Sequence, residues 1–172
     1  MEQLNEFQTM WMSYPDASSV LDQAFSKTNS PETSEATRNW IRSSFQNTCC
    51  VRLCYSLNHT VSHRVSQTDA RAAGLSISDY VTGKNGKYIF NVPNVSDYLK
   101  DRYGAPTKKW EGTSTPSRED FAKEIANQQG IIIFHEQMGD LNGHVDLWEK
   151  GLVKTYNLFD TAHSMEFWVV SN

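Results

Sequence analysis

The chain has few cysteines, and all of them lie close together. Its 172 residues contain three: Cys49, Cys50 and Cys54. A secreted disulfide framework spreads an even number of cysteines along the chain, so this pattern argues against one. A bond between adjacent cysteines would be strained, and structural zinc lacks the second ligand pair that closes such sites. The remaining alternatives are one nucleophilic cysteine beside two that pack, or three cysteines that only pack in the core.

Long apolar runs and strong charge are also missing. No run approaches the roughly 20 residues that a membrane-spanning helix needs, so we expect no membrane insertion. The net charge of −4 gives no reason to expect nucleic acid or an anionic membrane as partner. The first 15 residues are acidic and amphipathic and lack the basic start and apolar block of a signal peptide. We therefore expect synthesis in the cytoplasm and export, if any, by a route without a cleaved leader.

The length and the hydrophobic content of 38 % are typical of one soluble domain, here residues 1–172. Apolar residues at helical spacing, with capping and stop signals, predict helices at 3–14, 16–29, 49–58, 94–103 and 117–130. Residues 30–44 are polar and predict a surface connection that can become helical near Trp40. Residues 59–86 and 108–110 are predicted to be loops.

Strands dominate the second half of the sequence. β-Branched and aromatic runs predict strands at 86–92, 130–136, 143–149, 151–157 and 166–170. The run at 130–136 shows no alternation, which indicates a central strand covered on both faces. Lys150 and Gly151 predict a tight hairpin turn between two of the strands. Helices followed by a mainly antiparallel sheet define an α+β domain.

A cysteine at the start of a helix is a favourable place for a nucleophile. Asn47 or Thr48 can cap the helix that begins near Cys49, and the helix dipole favours a thiolate there. The base must be a histidine from elsewhere in the chain. His144 is the best candidate because it begins a strand directly after a glycine, and His135 is the alternative. The other histidines, His59, His63 and His163, are predicted to lie on the surface. Trp148 and Trp168 are predicted to lie in the core.

These residues carry a resemblance to a known family. The segment FQNTCCVRLCYSLN, followed far downstream by GHVDLWEKG, resembles the fourth family of type VI secretion amidase effectors. The likeness extends to FQTMWMSYP near the N-terminus, to YIFNVPNVSDYLKDRYGAP in the middle, and to GIIIF before the histidine motif. In the FQN-x-C motif the cysteine corresponds to Cys49, whereas Cys50 stands where the family often has proline.

The resemblance implies a papain-like, NlpC-type fold in which a cysteine helix packs on an antiparallel sheet. It implies cleavage of the amide between the γ-carboxyl of D-glutamate and meso-diaminopimelate in the peptidoglycan stem peptide, by Cys49 with His144 and without metal or organic cofactor. Helix amides, with Gln46 or Asn47, would hold the oxyanion. It also implies injection by the secretion apparatus into the target-cell periplasm and a cognate immunity protein as partner.

Asn157 is our choice for the residue that orients His144. Family members usually carry aspartate at this place. If Lys150 and Gly151 form a two-residue turn, His144 lies opposite Asn157, whose amide oxygen can accept a hydrogen bond from Nδ1. Asp146 shares a face with His144 but is expected to lie too far along the strand, and Asp160 would serve only with a bulge or a longer loop.

Two other classes of protein fit the same elements. One is a binding domain whose cysteines merely pack, and the other is a cysteine acyl or peptidyl transferase on the same fold. Hydrolysis of murein releases diaminopimelate amines, transfer makes new amide links, and a binding domain does neither. The reaction with purified murein therefore separates the three.

Overall fold

Most helices precede the main antiparallel sheet along the chain, and this mixture confirms the predicted α+β class. The computed structural model describes residues 2–25, 36, 39–40, 43, 48–112, 116–136 and 143–172. Its helices are α1 (Phe7–Ser13), α2 (Val20–Ala24), α3 (Cys49–Leu57), α4 (Gln67–Ala72), α5 (Val92–Tyr103) and α6 (Arg118–Ile125). Within these ranges, none of the helices has the length and apolar character that a membrane span requires.

Two antiparallel sheets accompany these helices. The strands are β1 (Tyr80–Gly83), β2 (Gly86–Ile89), β3 (Lys108–Glu111), β4 (Gln129–His135), β5 (His144–Glu149), β6 (Leu152–Val153) and β7 (Ser164–Val169). The small sheet is the hairpin β1–β2, and the main sheet has the order β3–β7–β4–β5–β6. Strand β4 is therefore central, as its unbroken apolar run predicts.

The main sheet is covered on both faces because successive side chains of a strand point to opposite sides. Ile131 and Ile133 of β4 join the larger core with α1, α2, α3 and α5. Ile132 and Phe134 join a second core with α6. The two tryptophans predicted to be buried, Trp148 and Trp168, lie in these cores.

The two best helix signals in the sequence are confirmed in their essentials. Helix α5 ends at Tyr103, with Gly104 just past its end as predicted, and it begins two residues early because the Asn91 side chain accepts a hydrogen bond from the Asn94 amide at 2.8 Å. Ser117 caps α6 through the Asp120 amide at 3.2 Å. That helix ends at Ile125 rather than near Gly130, since the chain is already paired in β4 from residue 129.

Several short elements were not predicted. Residues 59–86 contain α4 and β1, and residues 108–110 lie in β3 with Trp110 only 4 % exposed. Each of these strands is four residues long and carries polar residues, so its apolar pattern is too weak to detect; β3 is fixed by pairing with β7. The predicted helix at 16–29 is shorter, since α2 covers only its middle. Its last residues and most of the 30–44 connection lie outside the described residues, although Trp40 has helical backbone.

Candidate active site

Helix α3 is buried along its whole length and begins at the candidate nucleophile. All nine residues from Cys49 to Leu57 are buried, against α1 and α2 on one side and the strands β2 and β5 on the other. Thr48 is the N-cap residue but its side chain makes no capping hydrogen bond. The first amides of any helix lack partners within it, so the start of α3 at Cys49 places such amides beside the thiol. Gln46 and Asn47 lie outside the described residues.

The pKa of Cys49 lies well below that of an ordinary thiol. The hydrogen bond from Cys50, whose sulfur is 3.8 Å away, lowers it most. Burial acts in the opposite direction, but the hydrogen bond and charge of His144 and the backbone amide of Val145 lower it further. The same contact raises the pKa of Cys50 well above its usual value, so Cys50 stays protonated and donates to the Cys49 thiolate.

His144 is held rigidly at the start of β5. It pairs with Phe134 of β4, and the two rings stack with centroids 6.3 Å apart. The preceding Gly143 has φ of +122°, and a Cβ there would lie 2.1 Å from the Phe134 carbonyl oxygen, so only glycine fits. Burial alone would lower the pKa of His144, but hydrogen bonds to Asp146 and then to Cys49 raise it to about 9. A thiolate and an imidazolium therefore face each other at neutral pH.

The expectation that Asn157 contacts His144 is wrong: Asp146 makes that contact. The Asp146 Oδ2 atom lies 3.1 Å from Nε2 of His144. The Asn157 side chain instead accepts a hydrogen bond from the Phe159 amide at 2.9 Å, within its own loop. Residues two apart on a strand share a face, and here the separation permits the contact that the sequence argument judged too long. Since Nε2 is engaged by Asp146, Nδ1 is left for Cys49, the reverse of the predicted orientation.

The hairpin explains this outcome. Its predicted register is correct where pairing exists, with Glu149 opposite Leu152 and Trp148 opposite Val153. Pairing ends there, and the next segment turns in towards the buried carboxylate of Asp146. The amides of residues 155 and 156 donate to its Oδ2 atom at 2.9 and 3.0 Å. Asp160, the other alternative, is exposed.

Asp146 is a fully buried carboxylate with its partners in place. Its Oδ1 atom accepts from the Leu147 amide at 2.9 Å, and the Thr155 hydroxyl also donates to Oδ2. Burial raises the pKa of Asp146, but the hydrogen bond and charge of His144, with help from Thr155 and Tyr156, bring it below its usual value. The group is therefore ionised and can stabilise an imidazolium.

The structure does not bring the other histidines to Cys49. His135, the alternative base, lies 3.0 Å from the Glu166 carboxylate, which also accepts from Ser96 and pairs with Lys100. His163 is exposed, as predicted, and His59 is partly exposed. The prediction for His63 is wrong: it is fully buried and its ring hydrogen-bonds to the Asn5 side chain at 2.6 Å.

Sequence reasoning also missed two side chains beside the site. Tyr14 follows α1, and its hydroxyl donates to the Val145 carbonyl at 3.4 Å, next to His144. Arg52 lies one helical turn after Cys49, with its guanidinium carbon 5.4 Å from the centre of the Tyr14 ring. The spacing of Arg52 from the cysteine was the available signal, because residues three apart on a helix are neighbours.

A thiol at the start of a helix, packed on an antiparallel sheet whose buried histidine faces it, is the arrangement of papain-like, NlpC-type cysteine hydrolases. A family model described as type VI secretion system (T6SS), amidase effector protein 4, matches residues 45–168, and the chain belongs to that family. It is an amidase that acts on peptidoglycan as a type VI effector, which confirms the family and activity predicted from the sequence.

Solved structures agree with this fold. The chain is similar to the Tae4 effector in the Tae4–Tai4 effector–immunity complex from Salmonella Typhimurium, with 20 % identity, 98 % of this chain and 99 % of that chain covered, and a TM-score of 0.72. It is also similar to Tae4 from Enterobacter cloacae solved alone, with 21 % identity, 99 % and 98 % coverage and a TM-score of 0.68. For the Tae4–Tai4 complex from E. cloacae the identity is 21 %, 99 % of this chain and 100 % of that chain are covered, and the TM-score is 0.66. No curated protein sequence gave a significant match.

Proposed function

We propose that Cys49, His144 and Asp146 are the catalytic residues of this amidase. The proposed substrate bond is the amide between the γ-carboxyl of D-glutamate and meso-diaminopimelate in the stem peptide. The observation that carries the assignment of residues is the continuous hydrogen-bonded series from the Cys49 thiol through the His144 ring to the buried Asp146 carboxylate. It supplies a nucleophile, a proton carrier and a fixed negative charge in one place.

The reaction follows from these groups. The Cys49 thiolate attacks the γ-carbonyl carbon, and the first-turn amides of α3 hold the resulting oxyanion. His144 gives its proton to the departing diaminopimelate nitrogen, so the C–N bond breaks and a thioester to Cys49 remains. Neutral His144 then takes a proton from water, and the hydroxide attacks the thioester. The glutamyl carboxylate leaves, and the thiolate–imidazolium pair is restored.

Asp146 acts throughout as a positioning group and a charge. It fixes the tautomer and orientation of His144 by holding Nε2, and it stabilises the imidazolium before the first step and after the last. The residue sits on β5 itself rather than on a loop, and three backbone amides and one hydroxyl fix its carboxylate. That rigidity keeps the histidine ring in one orientation through both half-reactions.

The biological setting is proposed from the family. The chain would be made in the producer cytoplasm, delivered by the secretion apparatus and act in the periplasm of the target cell, where peptidoglycan lies. Similar effectors from Salmonella Typhimurium and Enterobacter cloacae are solved as effector–immunity complexes, which supports a cognate immunity protein for this chain.

Mass spectrometry of purified murein after incubation with the protein tests the activity. Hydrolysis should give stem fragments ending in D-glutamate and fragments with a free diaminopimelate amine. Cys49→Ala should give neither, whereas Cys54→Ala, which changes a buried cysteine further along the same helix, is the matched control. New amide links would indicate a transferase, and unchanged murein a binding domain; either outcome refutes the proposal.

Compartment dependence gives a second test in cells. Expression in a bacterial cytoplasm should be tolerated because the substrate is absent there, and fusion to an export signal should cause lysis. The exported Cys49→Ala variant is the control and should be harmless. Equal killing from cytoplasmic and exported forms would indicate a cytoplasmic target.

A further inference from the structure

Arg52 is a buried cation without the usual partners. Its side chain is 5 % exposed, and its Nε atom is buried without a hydrogen-bond partner within the described part of the chain. Arg102 shows the contrast: it donates to Glu2, to Tyr98 and to two backbone carbonyls. Burying a charge is costly unless it is paired, so an arginine left in this state needs an explanation.

The position of Arg52 connects it to the catalytic centre. It lies three residues after Cys49 on α3, so the two Cβ atoms are roughly 5–6 Å apart on neighbouring faces of the helix. Its guanidinium lies over the Tyr14 ring, whose hydroxyl contacts the backbone of β5 beside His144. Arg52 therefore belongs to the wall of the site.

The electrostatics agree with this placement. Burial raises the pKa of Tyr14 well above its usual value and the charge of Asp146 adds to this, while the charge of Arg52 opposes it. The charges of Asp146 and Arg52 therefore both act on the Tyr14 hydroxyl. The contact with the Tyr14 ring satisfies one face of the guanidinium, while its Nε–H has no acceptor among the described residues.

We propose that Arg52 binds a carboxylate of the substrate, namely the α-carboxylate of the D-glutamate whose γ-carbonyl is attacked. The inference rests on the proposed function and adds a specificity-determining residue to it. In a γ-linked glutamate, three carbons separate the scissile carbonyl carbon from the α-carboxylate carbon, about 5 Å when extended. The substrate carboxylate therefore lies close to the scissile carbon, and Arg52, one helical turn after Cys49, is a cation close to the nucleophile. Arginine suits the task because its planar fork matches a carboxylate in two hydrogen bonds.

Three synthetic peptides and two variants test the proposal. The reference peptide is L-Ala-γ-D-Glu-meso-diaminopimelate; the second has the D-glutamate α-carboxylate amidated, and the third has the carboxylate at the D-centre of diaminopimelate amidated. The enzymes are the wild type, Arg52→Gln and Arg52→Lys, and the readout is kcat/KM for each peptide. Thermal unfolding of each variant gives the folded concentration.

The wild type should cleave the reference peptide roughly ten- to a hundredfold better than the D-glutamate amide, the range expected for a hydrogen bond to a charged group. In Arg52→Gln this ratio should fall close to one, and Arg52→Lys should keep part of it because it retains charge without the fork. A general packing role for Arg52 would lower the rates on all peptides and leave the ratio unchanged.

Two further outcomes decide the assignment. If the wild type cleaves the reference peptide and the D-glutamate amide equally well, the proposal is refuted without any variant. If discrimination appears only with the diaminopimelate amide and depends on Arg52, the anion site is correct and its assignment to D-glutamate is wrong. If the wild type cleaves none of the three peptides, the proposed function fails and the inference fails with it.

Discussion

Replacing Asp146 by asparagine should slow hydrolysis strongly, while replacing Asn157 by alanine should hardly affect it. Asp146 holds Nε2 of His144 at 3.1 Å and is fully buried, whereas Asn157 is exposed and bonds within its own loop. The asparagine side chain keeps the shape of Asp146 but loses its negative charge. The comparison therefore measures what the charge contributes to the imidazolium.

The size of the effect follows from the pKa of His144. Raising it from 6.5 to about 9 corresponds to roughly 3 kcal/mol of stabilisation of the imidazolium, shared between Asp146 and Cys49. If Asp146 supplies most of it, its loss costs about 2 to 3 kcal/mol, or roughly a 30- to 150-fold fall in kcat/KM. A surface change such as Asn157→Ala is expected to stay within about 0.5 kcal/mol, a factor of about two.

The assay measures release of the diaminopimelate fragment at equal folded concentration, because Asp146 also anchors residues 155 and 156 and its loss can lower stability. The rate of Cys49 alkylation by iodoacetamide as a function of pH is a second readout. In Asp146→Asn the imidazolium is weakened, so the thiolate should form only at higher pH than in the wild type. A large loss of turnover in Asn157→Ala, with near-normal activity and an unchanged alkylation profile in Asp146→Asn, would refute the assignment.

Three further predictions follow from the geometry. Cys49→Ala should abolish hydrolysis, whereas Cys50→Ala and Cys54→Ala should retain part of it; equal loss in all three would contradict a single nucleophile. Burial raises the pKa of Glu166, but hydrogen bonds and ion pairs outweigh it and lower the pKa to about 2. The ionised carboxylate therefore stabilises the fold by roughly 3 kcal/mol above about pH 4.5, and this contribution is lost as the pH falls towards 2. The free energy of unfolding should therefore change less between pH 6 and pH 3 in Glu166→Gln than in the wild type; an equal change in both proteins contradicts this. Gly143→Ala should lose at least about 2 kcal/mol of stability, since its φ is +122° and the added Cβ meets a carbonyl oxygen at 2.1 Å; wild-type unfolding and activity would argue against that strain.

The sequence by itself predicted the general architecture and two residues of the proposed site. Helix periodicity and caps predicted α3, α5 and α6, and an unbroken apolar run predicted the central position of β4. These signals are local, because burial of one face or both faces imposes the pattern on the residues of the element itself. Cys49 and His144 were chosen for the same kind of reason, as a thiol at a helix start and a histidine at a strand start.

Tertiary structure alone decided the short strands and the partner of His144. Strand β3 carries lysines and a glutamate, and is a strand only because β7 offers its backbone hydrogen bonds. The register of the β5–β6 hairpin could be counted from its turn, but the length of the pairing could not. It ends after Val153 because the amides of residues 155 and 156 donate to the buried carboxylate of Asp146 rather than to a neighbouring strand. The contact between Asp146 and His144 depends on which donors reach the buried carboxylate once the chain is packed. No local pattern in the sequence encodes that.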